Sequence, residues 1–310
     1  MARMAKRFEK VYVEIGNACN LQCSFCPPVE RGKELMGREL FERVIADAAP
    51  LTEQVCLHLM GEPLAHPLFP DYVGICAAHG VPVNLTTNGT LLNAERAEAL
   101  LHPIVRQVNF SVHSFPSNFP GQDIAPYLET LFDFIRAAFS RRPDLYINFR
   151  LWNLNGAEED SNADVVSRVE AAFGVRVPRA IDARRGKSVK VAGRFYLHFD
   201  TEFEWPKLSA PVRSERGTCR ALSRQLGILA DGTVVPCCLD KEGVIPLGDA
   251  KRQTLGEILA AERAAAMLRG FEEGRLVEDL CRRCTFASRF DRKAKHLAAA
   301  GHFSTGGKPG

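Results

Sequence analysis

The feature that most limits what this chain can become is a cysteine array. Cys19, Cys23 and Cys26 follow a C-x3-C-x2-C spacing, directly after a β-like run at residues 10–15. Three thiolates on one short loop can hold three irons of a cubane [4Fe–4S] cluster. The fourth Cys that would complete the set does not occur nearby, so one iron is left open to a small molecule. Zinc is the competing reading. Structural zinc takes a closed set of four ligands, commonly from paired C-x2–4-C hooks, and three Cys at two spacings suit it poorly.

The 310 residues allow one large domain or two smaller ones, with ample chain for a core. A formal net charge of +3 is close to neutral at this length. It gives no warrant for a nucleic-acid surface. No apolar run reaches the length of a membrane span. The first residues carry charge but no apolar signal-peptide core, so a cytoplasmic protein without a membrane partner is expected. There, ten cysteines point to metal or redox chemistry and not to a disulfide frame. Beyond the array, Cys219, Cys237, Cys238, Cys281 and Cys284 gather towards the C-terminus. Cys56 and Cys76 stand alone in apolar stretches and read as small buried hydrophobes.

Between the cysteine groups the chain alternates. Strand-like runs at 10–15, 54–59, 81–89, 105–112 and 144–151 are separated by helical periodicity at 39–49, 67–79, 93–101, 122–139 and 158–173. Pro50 stops the first helix, and Asn93 caps the third. This βα rhythm predicts a parallel sheet with right-handed crossovers. Ligands in such sheets bind at the carboxyl ends of the strands, where the polar motifs of this sequence lie.

The cysteine array, with Phe25 just before its third Cys and a strand just ahead, resembles the cluster motif of the radical S-adenosylmethionine (SAM) superfamily. Met60-Gly61-Glu62-Pro63 resembles that family's Gly-Gly-Glu-Pro motif, with Met60 replacing the first Gly. The resemblance implies an α/β fold, a partial (β/α)6 TIM-like barrel over residues 8–185, and a set of SAM contacts. Phe25 belongs to the motif. Gly61 and Glu62 would meet the methionine ammonium, since a carboxylate suits a cation. Thr86-Thr87-Asn88-Gly89 would shape a nearby loop. Ser111, at the end of the fourth strand, would hydrogen-bond the ribose or carboxylate. Alternation puts Asn148, Arg150 and Trp152 on one face of the fifth strand. If that face points inward, Asn148 and Arg150 would serve SAM, Arg150 pairing with its carboxylate bidentately. His113 is a candidate for facing the substrate, and a structural histidine is the alternative.

Past residue 176 the rhythm changes. Residues 179–187 read as a basic, loop-like linker, and 186–215 as a connecting segment. The aromatic and acidic run at 195–205, with Asp200 and Glu202, is expected to close the barrel mouth. Residues 226–237 read as a β-hairpin turning at Asp231-Gly232. Residues 254–269 read as one helix opened by a Thr254–Glu257 capping box, and a Gly-rich tail within 291–310 reads as disordered. Cys219, Cys237, Cys281 and Cys284 could close a second [4Fe–4S] cluster, with a four-Cys zinc ribbon as the alternative. The block at 216–290 resembles the SPASM/twitch extension of radical SAM enzymes, in its shortened one-cluster form. Adjacent residues of a hairpin face opposite ways. Only one of Cys237 and Cys238 should therefore ligate, and the motif match favours Cys237. Cys238 is left as a substrate-side candidate.

The family resemblance implies two [4Fe–4S] clusters and SAM as cofactors, reductive SAM cleavage to a 5′-deoxyadenosyl radical, and a flavodoxin- or ferredoxin-type reductant. A closed auxiliary cluster would take an electron from the substrate radical. The first expectation is thus a radical oxidoreductase, dehydrogenase-like, acting on a small molecule. The second is a peptide-modifying maturase; no leader-recognition domain precedes the first strand, so a separate partner would have to supply one. The third is a non-catalytic Fe–S or zinc protein.

Overall fold

A computed structural model describes residues 6–154, 161–178, 187–202 and 204–286 of the chain. Strand β1 (Lys10–Val13) buries Val11 and Val13 on one face and turns Lys10 and Tyr12 to the other. Helix α1 (Arg38–Ala48) buries Phe41, Val44, Ile45 and Ala48. That spacing is the inward stripe of an amphipathic helix. The chain continues through β2 (Val55–Cys56), α2 (Phe69–Ala78), β3 (Val83–Thr87) and α3 (Ala94–Leu100). The Asn93 side chain caps α3 by accepting from the Arg96 amide at 2.9 Å. Next come β4 (Val105–Phe110), α4 (Ser114–Asn118), α5 (Ala125–Arg141), β5 (Tyr146–Leu154) and α6 (Ser161–Phe173). The last part holds β6 (Ser188–Ala192), β7 (Phe195–Thr201), β8 (Gln225–Ile228), β9 (Thr233–Val235), β10 (Gly248–Asp249), α7 (Leu255–Ala260), α8 (Glu262–Glu272) and α9 (Asp279–Arg283).

The described strands form one ten-stranded sheet in the order β10-β9-β8-β1-β2-β3-β4-β5-β7-β6. From β8 through β7 the neighbours are parallel. Strands β6, β9 and β10 add antiparallel edges. The sheet is mixed and does not close, as a partial TIM-like barrel requires. Phe41, Phe69, Tyr72, Phe110, Phe132 and Phe149 fill the layer between sheet and helices.

The structure departs from the sequence reading in four places. Residues 188–201 are not a connector or a mouth closure but strands β6 and β7. Phe195, Leu197 and Phe199 are buried at period two, the signature of a strand facing a core. The barrel therefore takes its sixth strand from beyond residue 185. The C-terminal hairpin is not set apart, because β8 pairs with β1 over four residues. The helix expected at 254–269 is two, broken at Ala261, whose backbone is extended. The capping box itself forms: Thr254 Oγ1 accepts from the Glu257 amide at 3.2 Å, and Glu257 accepts from the Thr254 amide at 2.8 Å. Short helix α4 was not anticipated. The basic linker at 179–186, the start of the helix expected from 158, and the tail at 291–310 lie outside the described residues.

Candidate active site

Cys19, Cys23 and Cys26 lie on the loop after β1, with Cys19 and Cys26 exposed. Amide groups point at their sulfurs. The Leu21 N–H lies 3.4 Å and Asn88 Nδ2 3.8 Å from Cys19 Sγ. Asn118 Nδ2, on α4, donates to Cys23 Sγ at 3.2 Å, and its Oδ1 accepts from the Gln22 amide at 2.7 Å. Although the residue is exposed at the surface, protein atoms around the Cys26 sulfur limit its hydration and push the thiol up to about 11, and the neighbouring Cys23 and Cys19 add to the rise. The three sulfurs therefore feel one another. A cluster that binds them as thiolates releases protons, and the N–H donors then stabilise the negative sulfur. A cubane takes each thiolate on a different iron, and three Cys on one loop with N–H donors at Cys19 and Cys23 are a donor set that fits such a cluster.

Gly61 has φ +75°, and a Cβ there would stand 2.4 Å from the Gly16 carbonyl oxygen. Only glycine fits so close to the start of the cluster loop. Met60 is not among the positive-φ residues, which explains why the first glycine of the motif is dispensable. The Glu62 amide donates to the Ala18 carbonyl at 3.0 Å. The Glu62 carboxylate is buried and accepts from Thr87 Oγ1 at 2.6 Å, the Asn88 amide at 2.8 Å and the Leu64 amide at 2.9 Å. Burial raises its pKa, and these hydrogen bonds oppose the rise. Glu62 thus joins the ends of β2 and β3. Asn88 passes that connection to the loop, donating to Asn20 Oδ1 at 3.0 Å.

The barrel interior is polar. Asn148 donates to Asn109 at 2.9 Å, Asn109 to Asn84 at 3.0 Å, and Asn84 to Gln54 at 3.3 Å, an amide chain running across β5, β4, β3 and the start of β2. The Ser111 amide donates to the Thr87 carbonyl at 2.8 Å. The Ser111 hydroxyl makes no hydrogen bond among the described residues and is available to a ligand. His113 is buried, with its ring 4.6 Å from that of Phe25. Its Nδ1 lies 2.8 Å from the Arg150 carbonyl. A carbonyl only accepts, so Nδ1 carries the proton. Burial lowers the His113 pKa to about 4, and the ring stays neutral. Arg150 also points inward, its guanidinium 4.4 Å from the centre of the Trp152 ring.

The second cysteine group is arranged differently. Cys219, Cys237, Cys281 and Cys284 line one cavity with Pro206, Leu239, Ile245 and other apolar residues. Burial is the first cause that raises the thiol pKa values of Cys219, Cys237 and Cys281. Cys238 turns the other way and hydrogen-bonds Tyr12 inside the barrel. The opposite orientation expected of the adjacent pair is what the structure has.

The model of the radical SAM superfamily matches residues 13–160, and that of SPASM, an iron–sulfur cluster-binding domain, matches residues 219–285. A PqqA peptide cyclase from Streptomyces rochei is 30% identical over 290 aligned residues, covering 83% of this chain and 77% of that protein. The chain belongs to the radical SAM superfamily. It is a radical SAM enzyme with a C-terminal SPASM domain, and the family's cofactors are [4Fe–4S] clusters and SAM. A tungsten-containing aldehyde ferredoxin oxidoreductase cofactor-modifying protein from Pyrococcus furiosus is 33% identical over 111 residues. That match spans 34% of this chain and only 31% of that protein. BtrN, solved with AdoMet and 2-DOIA, superposes with a TM-score of 0.59 at 17% identity, covering 91% of this chain and 94% of that one. Streptococcus suis SuiB bound to its precursor peptide SuiA gives 0.60 at 16% identity, covering 90% and 71%. At these identities the likeness is one of fold.

This radical SAM chain also carries a clamp that the sequence did not reveal. Glu14, fully buried, is paired with Arg31 at 2.6 Å and accepts from the amides of Met60 at 3.3 Å and Ala230 at 3.2 Å. Arg31 Nε donates to the Lys241 carbonyl at 2.6 Å, and Lys241 Nζ donates to the Pro28 carbonyl at 2.8 Å. The Glu242 carboxylate accepts from the Glu30 amide at 3.1 Å. The stretch just after Cys26 is thereby fastened to the stretch just after Cys238. Charged residues in a loop were the visible signal, but the contacts that join Pro28, Glu30 and Arg31 to Lys241 and Glu242 span more than 200 positions.

Proposed function

We propose that this protein oxidises or crosslinks a side chain of a peptide. The observation that carries this reading is the cyclase relative, whose alignment covers 83% of this chain and 77% of that protein. The fold shared with peptide-bound SuiB supports it. Cys19, Cys23 and Cys26 hold the cluster that binds SAM. Phe25, Gly61, Ser111 and Asn148 form the SAM side of the site, with Glu62 setting the shape of its loop and His113 backing Phe25. When bound, these cofactors supply reductive SAM cleavage and the radical that removes a hydrogen atom from the substrate. Cys219, Cys237, Cys281 and Cys284, which line one cavity, would hold an auxiliary cluster, and that cluster would supply the one-electron acceptor that a net two-electron oxidation needs. Cys238, on the barrel side, faces the substrate. A flavodoxin- or ferredoxin-type protein in the cytoplasm supplies the first electron.

The test is anaerobic reconstitution followed by incubation with SAM, dithionite and any short peptide found encoded beside the gene. The expected result is 5′-deoxyadenosine together with a peptide lighter by two hydrogens. No SAM cleavage with both clusters present would remove the enzyme reading. A second reading, oxidation of a small molecule, is favoured by the near-complete coverage of BtrN. Turnover of 2-DOIA or another small molecule, and of no peptide, would select it.

A further inference from the structure

Arg150 was expected beside the SAM carboxylate, but its surroundings belong to another part of the barrel. Its charge acts on Tyr12, Cys56 and Cys238, and on His58 and His198. Tyr12 and Cys238 touch each other. These groups lie on β1, β2, β7 and the turn after β9, inside the sheet. Trp152, beneath the guanidinium, is fixed by an indole N–H donated to His198 Nδ1 at 2.7 Å. Among the described residues the guanidinium has no hydrogen bond and no carboxylate partner.

An uncompensated cation in a barrel interior is costly, and stacking on one ring offsets only part of that cost. The surrounding groups do not neutralise it. Lys10 adds a second positive charge acting on Cys56, His58 and Cys238. His58 and His198 are pushed towards their neutral forms by burial, with Arg150 contributing. Asp200, the carboxylate that acts on His198, is held by Lys187 at 2.5 Å. A face stacked on Trp152 leaves the edge of the guanidinium free, and that edge matches a planar two-oxygen group.

We propose that the barrel interior between β1 and β5 binds a carboxylate of the substrate, with Arg150 taking it and Trp152 and His198 fixing the Arg150 plane. This rests on the peptide reading above, in which the carboxylate is an acidic side chain or the peptide C-terminus. Such an anchor would place the adjoining carbon chain beside Cys238.

The test uses the full chain carrying its clusters, titrated calorimetrically with glutarate and with its neutral counterpart glutaramide. Glutarate is expected to bind saturably and glutaramide not at all. Arg150→Gln should weaken glutarate by about tenfold or more, and Arg150→Lys should restore part of it. Iron content and melting temperature on the same preparations exclude misfolding, and SAM affinity should stay within about twofold. Equal binding of glutaramide, unchanged glutarate binding in Arg150→Gln, or tighter binding of inorganic phosphate than of glutarate would each overturn the proposal. So would a parallel loss of SAM affinity, which would return Arg150 to the SAM site. Glutarate binding through Arg150 in a protein that cleaves no SAM would unseat the proposed function and leave this subsite standing.

Discussion

Cys19 and Cys26 stand exposed on a loop held by polar side chains, whereas Cys219, Cys237, Cys281 and Cys284 line an apolar cavity. In each group a thiol is shifted upwards, Cys26 in front and Cys237 behind, by loss of hydration first and by neighbouring thiols next. They differ in access. The front sulfurs receive N–H donors from Asn88, Asn118 and the loop backbone and leave an approach for a ligand with polar groups. The back sulfurs are surrounded by proline, leucine and isoleucine, and Asp240 nearby is occupied by the Val244 and Ile245 amides at 2.8 Å. A site of that kind is suited to exchanging electrons and not to exchanging ligands.

The contrast can be broken most strongly at Gly61. Gly61→Ala forces a Cβ onto the Gly16 carbonyl and holds a residue at positive φ, a strain of about 1–3 kcal/mol. The front site should suffer alone. The change that SAM makes to the reduced enzyme's electron paramagnetic resonance spectrum should vanish, while the back cluster's signal remains. An unaltered spectrum would show that the close approach is not needed.

Arg31→Leu removes the clamp between the two regions and strands the buried Glu14 carboxylate, at about 3–5 kcal/mol. Urea denaturation should show that loss. A fall below about 1 kcal/mol would mean that Glu14 finds its neutral form or another donor.

The adjacent cysteines give a cleaner separation. Cys237→Ala should lower the iron content from about eight to about four per chain, whereas Cys238→Ala should keep about eight. Loss of iron in both variants would erase the division between cavity side and barrel side.

A smaller effect is expected with acid. His113 has its folded pKa lowered to about 4, below the ordinary 6.5, so the unfolded chain takes up the proton first as pH falls. Its contribution is complete above about pH 6.5 and is lost towards pH 4. Between pH 7.5 and 5.5 the loss should be about 1 kcal/mol, read from denaturation at each pH, and His113→Phe should lessen it. An identical slope in the variant would assign the acid sensitivity elsewhere.

Smallest of all, Thr254→Ala removes the cap of α7 and should cost about 1 kcal/mol by thermal melting. Iron content and SAM cleavage should not change. A change in either would show that α7 does more than support the back region.

What could be read in the sequence was local. The parallel βα order, the Asn93 cap, the capping box and the opposite orientation of Cys237 and Cys238 all follow from rules acting over a few residues. What escaped was contact between distant segments. The glutamate of the second motif was read for a ligand's ammonium; that its oxygens also accept from Thr87, Asn88 and Leu64 was not visible. Asn118 reaches Cys23 from a five-residue helix too short to give periodicity. Arg150 sits on the inward face that alternation predicts, but which part of the interior it serves depends on β1, β7 and the turn carrying Cys238. Strand β7 was legible in principle, since Phe195, Leu197 and Phe199 alternate. The linker composition before it hid the pattern.

The pairing of β1 with β8 has a consequence for how the chain comes to be. Strand β1 is made early, yet one of its two neighbours arrives some two hundred residues later. At about 5–20 residues per second, that neighbour follows after roughly 10–40 s of synthesis. Until then one edge of β1 is unpaired, and Glu14 waits for the amide of Ala230. The clamp around the cysteine loop cannot be completed before the hairpin arrives. Cluster insertion into the front site should accordingly follow synthesis of the hairpin.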